Sequence, residues 1–308
     1  MSTLDLSVIV IILKGGNSLR RCLQELERQG DGVTMEIIVP CDGSLQGLAT
    51  LRAEFPKVEF LSLDGKRTFA ELRALGVQKS RSPVVAVTED QCRPHPDWCK
   101  EILQSHQQSH AAVGGPVEKD VPDTVLSWAF FFVDYVRYMN PMPEGPTNNL
   151  TDCNVSYKRE ILETISDIWK KEFHEPEVHH ALQERKHVLW FSPRMMVYQR
   201  RHLRLGEALK DRLDFGRLFG SGRAQELSVL PRLVYAIMSL MLPPLTVGRV
   251  VQNVFTKKRC IPELFRALPV VILLNCVWAF GECLGYLTGR SASSLTPVLE
   301  NSTTKRSS

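Results

Sequence analysis

The run Val84-Val85-Ala86-Val87-Thr88 ends abruptly in two adjacent carboxylates, Glu89 and Asp90. Bounded by Pro83 and Pro94, it reads as a fully buried parallel strand. Ligands of open α/β sheets bind outside the carboxyl ends of such strands. The two acids therefore stand where a phosphate-bound metal or a sugar hydroxyl could be met. Like charges held close oppose one another's ionisation, so the pair calls for a cation or a donor-rich ligand. A solvated turn after a core strand is the plain alternative. Glu175 precedes Pro176, a residue suited to the first turn of a helix, where the helix N-terminus favours an ionised acid. Simple helix capping would explain it equally. His174, His179 and His180 have no matching third ligand at a telling spacing, which points to surface or supporting histidines rather than a metal set. Lys14 is either a phosphate contact or a solvated loop cation.

The elements that must position these groups alternate. Ser7–Leu13 reads as a strand, and Asn17-Ser18 caps a helix with Leu19, Leu23 and Leu26 at helical spacing. Met35–Val39 is a strand closed by the turn Asp42-Gly43-Ser44. A helix around Leu48–Phe55, a strand at Val58–Leu63 and a helix over Thr68–Gln78 lead to Val84–Thr88. This alternation implies βαβ units with right-handed crossovers and a parallel sheet. A helix from Trp98, a strand near Val113, an aromatic-rich helix over 124–138, a strand at Asn154 and a helix from Pro176 follow. The aromatic helix either lines an acceptor channel or is a buried amphipathic helix.

The chain has 308 residues and a net charge of +4, and its composition is globular. Eight cysteines without a CxxC pair read as reduced thiols in a chain facing the cytosol. The apolar N-terminal run has no basic lead-in or cleavage pattern, so it reads as a strand and not a signal. Residues 200–266 carry thirteen Lys/Arg against five Asp/Glu. Such a basic belt beside apolar segments favours an anionic membrane surface and argues against nucleic acid. Leu203, Leu209, Leu213, Phe215, Leu218 and Phe219 interleave with basic residues as in an interfacial amphipathic helix. Ala267–Thr288 is long enough to span a bilayer, whereas Val229–Leu245 is interrupted by Arg232 and Pro243-Pro244. A re-entrant first segment keeps the basic loop Arg249–Arg266 on the cytosolic side.

In order, these pieces resemble glycosyltransferase family 2, the inverting enzymes of GT-A fold. Glu36-Ile-Ile-Val-Pro-Cys-Asp-Gly-Ser44 resembles the family's second strand and nucleotide turn. Leu72-Arg73-Ala74-Leu75-Gly76 resembles its Ala-Arg-Asn-x-Gly element, and Val84–Asp90 followed by Pro94-His-Pro-Asp-Trp98 its acidic strand and helix. Cys153-Asn-Val-Ser-Tyr-Lys-Arg159 resembles the acceptor-side strand, and His174–Leu182 stands at the Glu-Asp-x-x-Leu element. The resemblance covers about residues 5–290 and rests on order and spacing together.

The resemblance implies an α/β fold of GT-A type: a Rossmann-like, mostly parallel sheet flanked by helices, with a C-terminal amphipathic and membrane-associated helical region. With the charge and composition pattern, the expected division is a catalytic domain at 1–200, a basic interface segment at 201–228, membrane-associated helices at 229–290 and a Ser/Thr-rich disordered tail at 291–308. The resemblance implies a nucleotide-sugar donor whose base or ribose meets Asp42, whose diphosphate meets Arg73, and whose cofactor, a divalent cation (Mg2+ or Mn2+), is held at Glu89 and Asp90, with Asp90 the metal ligand. Glu175 is then the general base that activates the hydroxyl of a lipid-linked or glycan acceptor. The expected place is the cell membrane, with the catalytic domain in the cytoplasm. Departures are Ile11–Lys14, Cys41, Ala74 and Gln91, the last where a third acid is usual. No Gln-x-x-Arg-Trp element is evident, which favours transfer of a single sugar. The same departures motivate an alternative: a catalytically silent GT-A-like module that binds a nucleotide sugar or a partner at the membrane.

Overall fold

The computed structural model describes residues 4–290 apart from 30, 31, 44, 122, 202, 203 and 226. Ser44 of the turn, Leu203 and the expected tail 291–308 thus lie outside the described residues. In chain order the elements are β1 (Leu6–Ile11), α1 (Gly16–Glu27), β2 (Met35–Asp42), α2 (Leu48–Glu54), β3 (Val58–Leu63), α3 (Phe69–Lys79), β4 (Val84–Glu89), β5 (Cys92–Pro94), α4 (Trp98–Ser105), β6 (Ala112–Gly114), β7 (Val117–Lys119) and α5 (Val125–Tyr135). There follow β8 (Gly145–Pro146), β9 (Asn154–Lys158), α6 (Arg159–Glu163), α7 (Ser166–Trp169), α8 (Glu175–Glu184), β10 (Leu189–Phe191), β11 (Val197–Gln199), α9 (Leu205–Ala224), α10 (Val229–Ser239), α11 (Leu242–Lys257) and α12 (Ile261–Thr288).

The chain forms two compact units. The first runs to Gly115 and resumes over Glu144–Val197; the second takes Pro116–Pro143 and the chain from Tyr198. The division does not fall at residue 200 alone, because α5 associates with the C-terminal helices.

The first unit is built on an eight-stranded sheet of order β3-β2-β1-β4-β9-β6-β10-β8. The strands β3, β2, β1 and β4 are parallel, and β10 runs parallel to β6. Strand β9 is antiparallel to both its neighbours. Every residue of β1 and β4 is buried, as continuous apolar strands covered on both faces require. The register pairs Ile11 with Glu89, so the ends of β1 and β4 lie side by side at the sheet's carboxyl edge. Helix α3 begins on a capping box in which Thr68 and Glu71 exchange hydrogen bonds. It lies close on the sheet at Gly76, where a Cβ would stand 2.6 Å from Ile9 Cγ2.

The second unit is helical. Helices α9 and α12 meet through small residues, so a Cβ on Gly216, Gly220, Gly281 or Gly285 would come within 2.2–2.3 Å of the partner backbone. That is the close approach of small-xxx-small packing. Arg212 Nη2 lies 2.5 Å from Asp134 Oδ1, and its guanidinium stacks over Phe130 at 4.3 Å. Among the described residues, α12 is one helix long and apolar enough to cross a membrane. Helices α10 and α11 reach that length only together, bent by 49° at the break before Pro243-Pro244. The eight cysteines form no disulfide.

Candidate active site

Four charged side chains converge in the first unit. Arg73, on the face of α3 that Gly76 seats against the sheet, extends its guanidinium toward Glu175, Asp152 and Glu89. Its Nε is 2.6 Å from Glu175 Oε1, and its Nη2 is 3.3 Å from Asp152 Oδ2 and 3.8 Å from Glu89 Oε1. Each carboxylate arrives on a different element. Glu89 ends β4, and Asp152 lies two residues before Asn154, where β9 begins its pairing with β4. Glu175 opens α8, and Pro176 beside it fits the first turn, where its missing N–H is no loss. The segment before α8 is tied to α3 by Phe173 N–H donating to Ala70 O (2.9 Å) and by Gln78 Nε2 donating to Lys170 O (2.8 Å). Two helices distant in sequence thereby fix the Arg73–Glu175 contact.

Burial decides the electrostatics. Arg73 is buried, which opposes its charge, but Glu175, Asp152 and Glu89 outweigh that and raise its pKa. For Glu175 the balance is the reverse. Burial pushes its carboxyl up to about 7, against the lowering by Arg73, while Asp152 raises it further. A hydrogen bond from its own backbone N–H lowers it, but desolvation is larger. Although Glu175 Oε1 and Arg73 Nε are 2.6 Å apart, neither has a well-aligned hydrogen-bond partner among the described residues. The contact is an electrostatic one whose N–H is misdirected, leaving Oε1 able to accept a proton.

Asp90 binds the backbone of the β1–α1 turn. Its Oδ1 accepts from Leu13 N–H (3.0 Å), and its Oδ2 accepts from Lys14 N–H (3.0 Å) and Gly15 N–H (2.6 Å). Gly15 and Gly16 have φ of 72° and 53°, left-handed values that let the amides turn inward. The carboxylate thus fills an anion-binding nest made by the β1–α1 turn. These three bonds engage both oxygens of Asp90 in the turn. Asp42 is buried at the end of β2, on the same carboxyl edge as the end of β1. Lys14 is exposed.

Sequence reasoning passed over Asp152, whose side chain is 47% exposed and so offers the cluster's open carboxylate. A lone acid just before a strand carries no pattern of its own, and it is the β4–β9 pairing, with Thr88 against Asn154, that brings Asp152 to the cluster. His179, expected to be a surface or supporting histidine, is buried and pairs with Tyr157, whose Oη lies 2.9 Å from its Nε2. Burial lowers His179 to about 4, so it stays neutral and supports α8. His174 and His180 are exposed, in keeping with surface histidines. Asn154 accepts from Trp98 Nε1 (2.8 Å) and donates to Met195 O (2.7 Å), which holds β9 in place.

The family model described as Glycosyl transferase family 2 matches residues 7–166. The chain belongs to glycosyl transferase family 2. It is also similar to the glucosyl-dolichyl phosphate glucuronosyltransferase of Haloferax volcanii, with 24% identity over 140 residues. That match spans 42% of this chain and 44% of the relative, less than half the length of either. Among solved structures, a likeness is found to the mannosyltransferase PcManGT from Pyrobaculum calidifontis in complex with GDP-Man and Mn2+. Its TM-score is 0.56 at 12% identity, covering 92% of this chain and 88% of that one, so the likeness is one of fold. The family 2 protein thus has the expected α/β architecture with a mostly parallel sheet.

Proposed function

We propose that this family 2 glycosyltransferase moves a single sugar, with inversion, from a nucleotide-sugar donor to a lipid-linked or cell-envelope acceptor. One observation carries the reading: Glu175, a buried carboxyl at about 7, faces Arg73 beside the half-exposed Asp152. Direct inversion needs one general base, and a base works best with a pKa near the working pH. In the proposed step, Glu175 takes the proton of the acceptor hydroxyl. The acceptor oxygen bonds the anomeric carbon as that carbon's bond to the diphosphate breaks. Arg73 offers its guanidinium fork to the leaving diphosphate, and Asp42 accepts from the ribose or base.

A divalent cation belongs to this reading on charge grounds. Arg73 faces three carboxylates, so an anionic diphosphate needs further positive charge there. Asp152 and Glu89 are the oxygen donors that would hold Mg2+ or Mn2+. When bound, the ion supplies Lewis-acid neutralisation of the diphosphate. Support for a lipid-linked acceptor comes from the dolichyl phosphate named for the Haloferax relative and from the apolar, basic second unit. A position at the cell membrane, with the catalytic unit in the cytoplasm, agrees with free cysteines and the basic belt.

The decisive test is a nucleotide-sugar donor screen on the purified chain and its Glu175→Gln variant, with transfer and donor binding both measured. The expected result is a loss of transfer by roughly 10²–10⁴-fold with donor affinity nearly unchanged. Undiminished turnover by the variant would remove Glu175 as the base. Absence of any nucleotide binding would favour a silent module instead.

A further inference from the structure

Behind the Arg73 cluster, Glu89 has a second set of neighbours that the transfer reaction does not use. One oxygen of its carboxylate and the sulfurs of Cys92 and Cys153 all lie within 4.8 Å of one another. All three residues are buried, at 4%, 2% and 0% exposure. We propose that Glu89, Cys92 and Cys153 form a seat for a thiophilic divalent cation of the Zn2+ class, which shares Glu89 with the hard-cation position proposed at Asp152 and Glu89.

The backbone fixes this set in advance. The β4–β9 ladder pairs Thr88 with Asn154, so the next position brings Glu89 opposite Cys153. Thr88 Oγ1 donates to Cys153 O (3.0 Å) and holds that end of the ladder closed. Cys92 opens β5 only three residues beyond Glu89, and Cys22 Sγ donates to Glu89 O (3.7 Å) on the other side. Three ligand atoms therefore come from ordered strand ends, which supplies the preorganisation a metal seat needs. Two thiolates and one carboxylate are a donor set that selects Zn2+ or Cd2+ over Mg2+ or Mn2+ by softness. Three protein ligands with a fourth position left for water is a familiar zinc arrangement. On binding, the two thiols release their protons to solvent, and the cation takes two thiolates and the carboxylate. Among the described residues no other three His, Cys, Asp or Glu groups meet in this way.

Occupancy has a consequence for the proposed site, and that part alone rests on the glycosyltransferase mechanism. Glu89 would be held on the sulfur side, leaving Arg73 to Asp152 and Glu175. Binding itself is tested without any activity. The full chain, stripped with a chelator and kept reduced, is titrated with Cd2+ while the ultraviolet sulfur-to-metal charge-transfer band is followed. The expected result is one equivalent of tight binding that excess Mg2+ does not displace and that Zn2+ competes away. The band should persist in Cys276→Ser, which removes an exposed thiol, and vanish in Cys92→Ser and Cys153→Ser. Should either buried variant fail to fold, X-ray absorption on the zinc-loaded wild-type chain decides. Two sulfur neighbours at about 2.3 Å with oxygen completing the shell support the seat. A shell without sulfur, or a cadmium band that survives both serine substitutions, overturns it.

Discussion

Glu175 is held between two demands. Its burial favours the neutral acid, and the adjacent Arg73 favours the carboxylate, with a resulting pKa of about 7. Catalysis by this group requires the ionised form, so kcat/KM should rise with pH through about 7 and level off above it. The same shift has a stability sign. The folded carboxyl titrates above its ordinary value of 4.5, so the folded state holds a proton that the unfolded chain has released between those values. The stabilisation from this group is present below about 4.5 and lost as pH rises through about 7. Glu175→Gln, neutral at every pH, should therefore gain in relative thermal stability from pH 5 to pH 8, and a gap that stayed constant would argue against the shifted carboxyl. Residue pattern picked out Glu89 and Glu175, and the family resemblance Arg73; the structure brings the three together. Asp152 was not legible, because a lone acid before a strand has no pattern of its own, and only the β4–β9 pairing brings it to Arg73. Nor could sequence give the sign of the Glu175 shift, since the helix N-terminus was visible and the degree of burial was not.

Elements transmit position to these residues, and α3 does so through Gly76. An alanine there would gain about 1 kcal/mol of helix propensity. Its Cβ would also meet Ile9 Cγ2 at 2.6 Å and Pro40 Cγ at 3.1 Å. Both neighbours are stiff and sit on buried strands, so the helix must lift, at a cost of about 1–3 kcal/mol. The clash is expected to win: Gly76→Ala should speed hydrogen exchange in α3 and reduce transfer by displacing Arg73. Asp90 plays the corresponding role for the β1–α1 turn. Asp90→Asn turns one acceptor into a donor against inward-facing amides and should destabilise the turn by about 1.5–3 kcal/mol, read as faster exchange at residues 13–15. If the variant instead abolished metal-dependent donor binding with the turn intact, Asp90 would be a ligand after all. Strands β1 to β4 and helix α3 were legible because period and turn signals agree along them. The three amides converging on Asp90 were not, since the nest is made by the backbone N–H groups of Leu13, Lys14 and Gly15, and no side-chain pattern in that segment announces it. The expected aromatic helix formed as α5, and it is largely buried, as its alternative reading held.

At the scale of the whole molecule, the question is how the second unit could meet a bilayer. Helix α12 is long and apolar enough to cross, but α9 packs along it through Gly216, Gly220, Gly281 and Gly285, and α9 carries Lys210, Asp214 and Arg217. A charged helix fixed beside the later half of α12 would have to enter hydrocarbon with it, which is costly for each charge. Arg232 adds to this, because its Nε and Nη2 donate to Tyr286 O at 3.0 and 2.9 Å, near the end of α12. The cationic head caps the helix where the dipole is negative and ties α10 to it. By contrast, Leu230, Ile237, Met238, Met241 and Leu245 are 57–73% exposed over a stretch whose sole charge is Arg232. These features favour a unit that lies in the membrane interface on α10 and α11 over one that threads α12 through the bilayer. The expectation is flotation with vesicles containing anionic lipid and weaker flotation with neutral ones, the difference shrinking at high salt as the basic belt is screened. The double variant Ile237→Asp, Met241→Asp places charge on residues 68% and 67% exposed, so it should leave folding intact and abolish flotation. Protease cleavage of both the α11–α12 connection and the chain beyond Arg290 from one side of a sealed vesicle would fit this interfacial placement. Protection of either one alone would mean that α12 crosses.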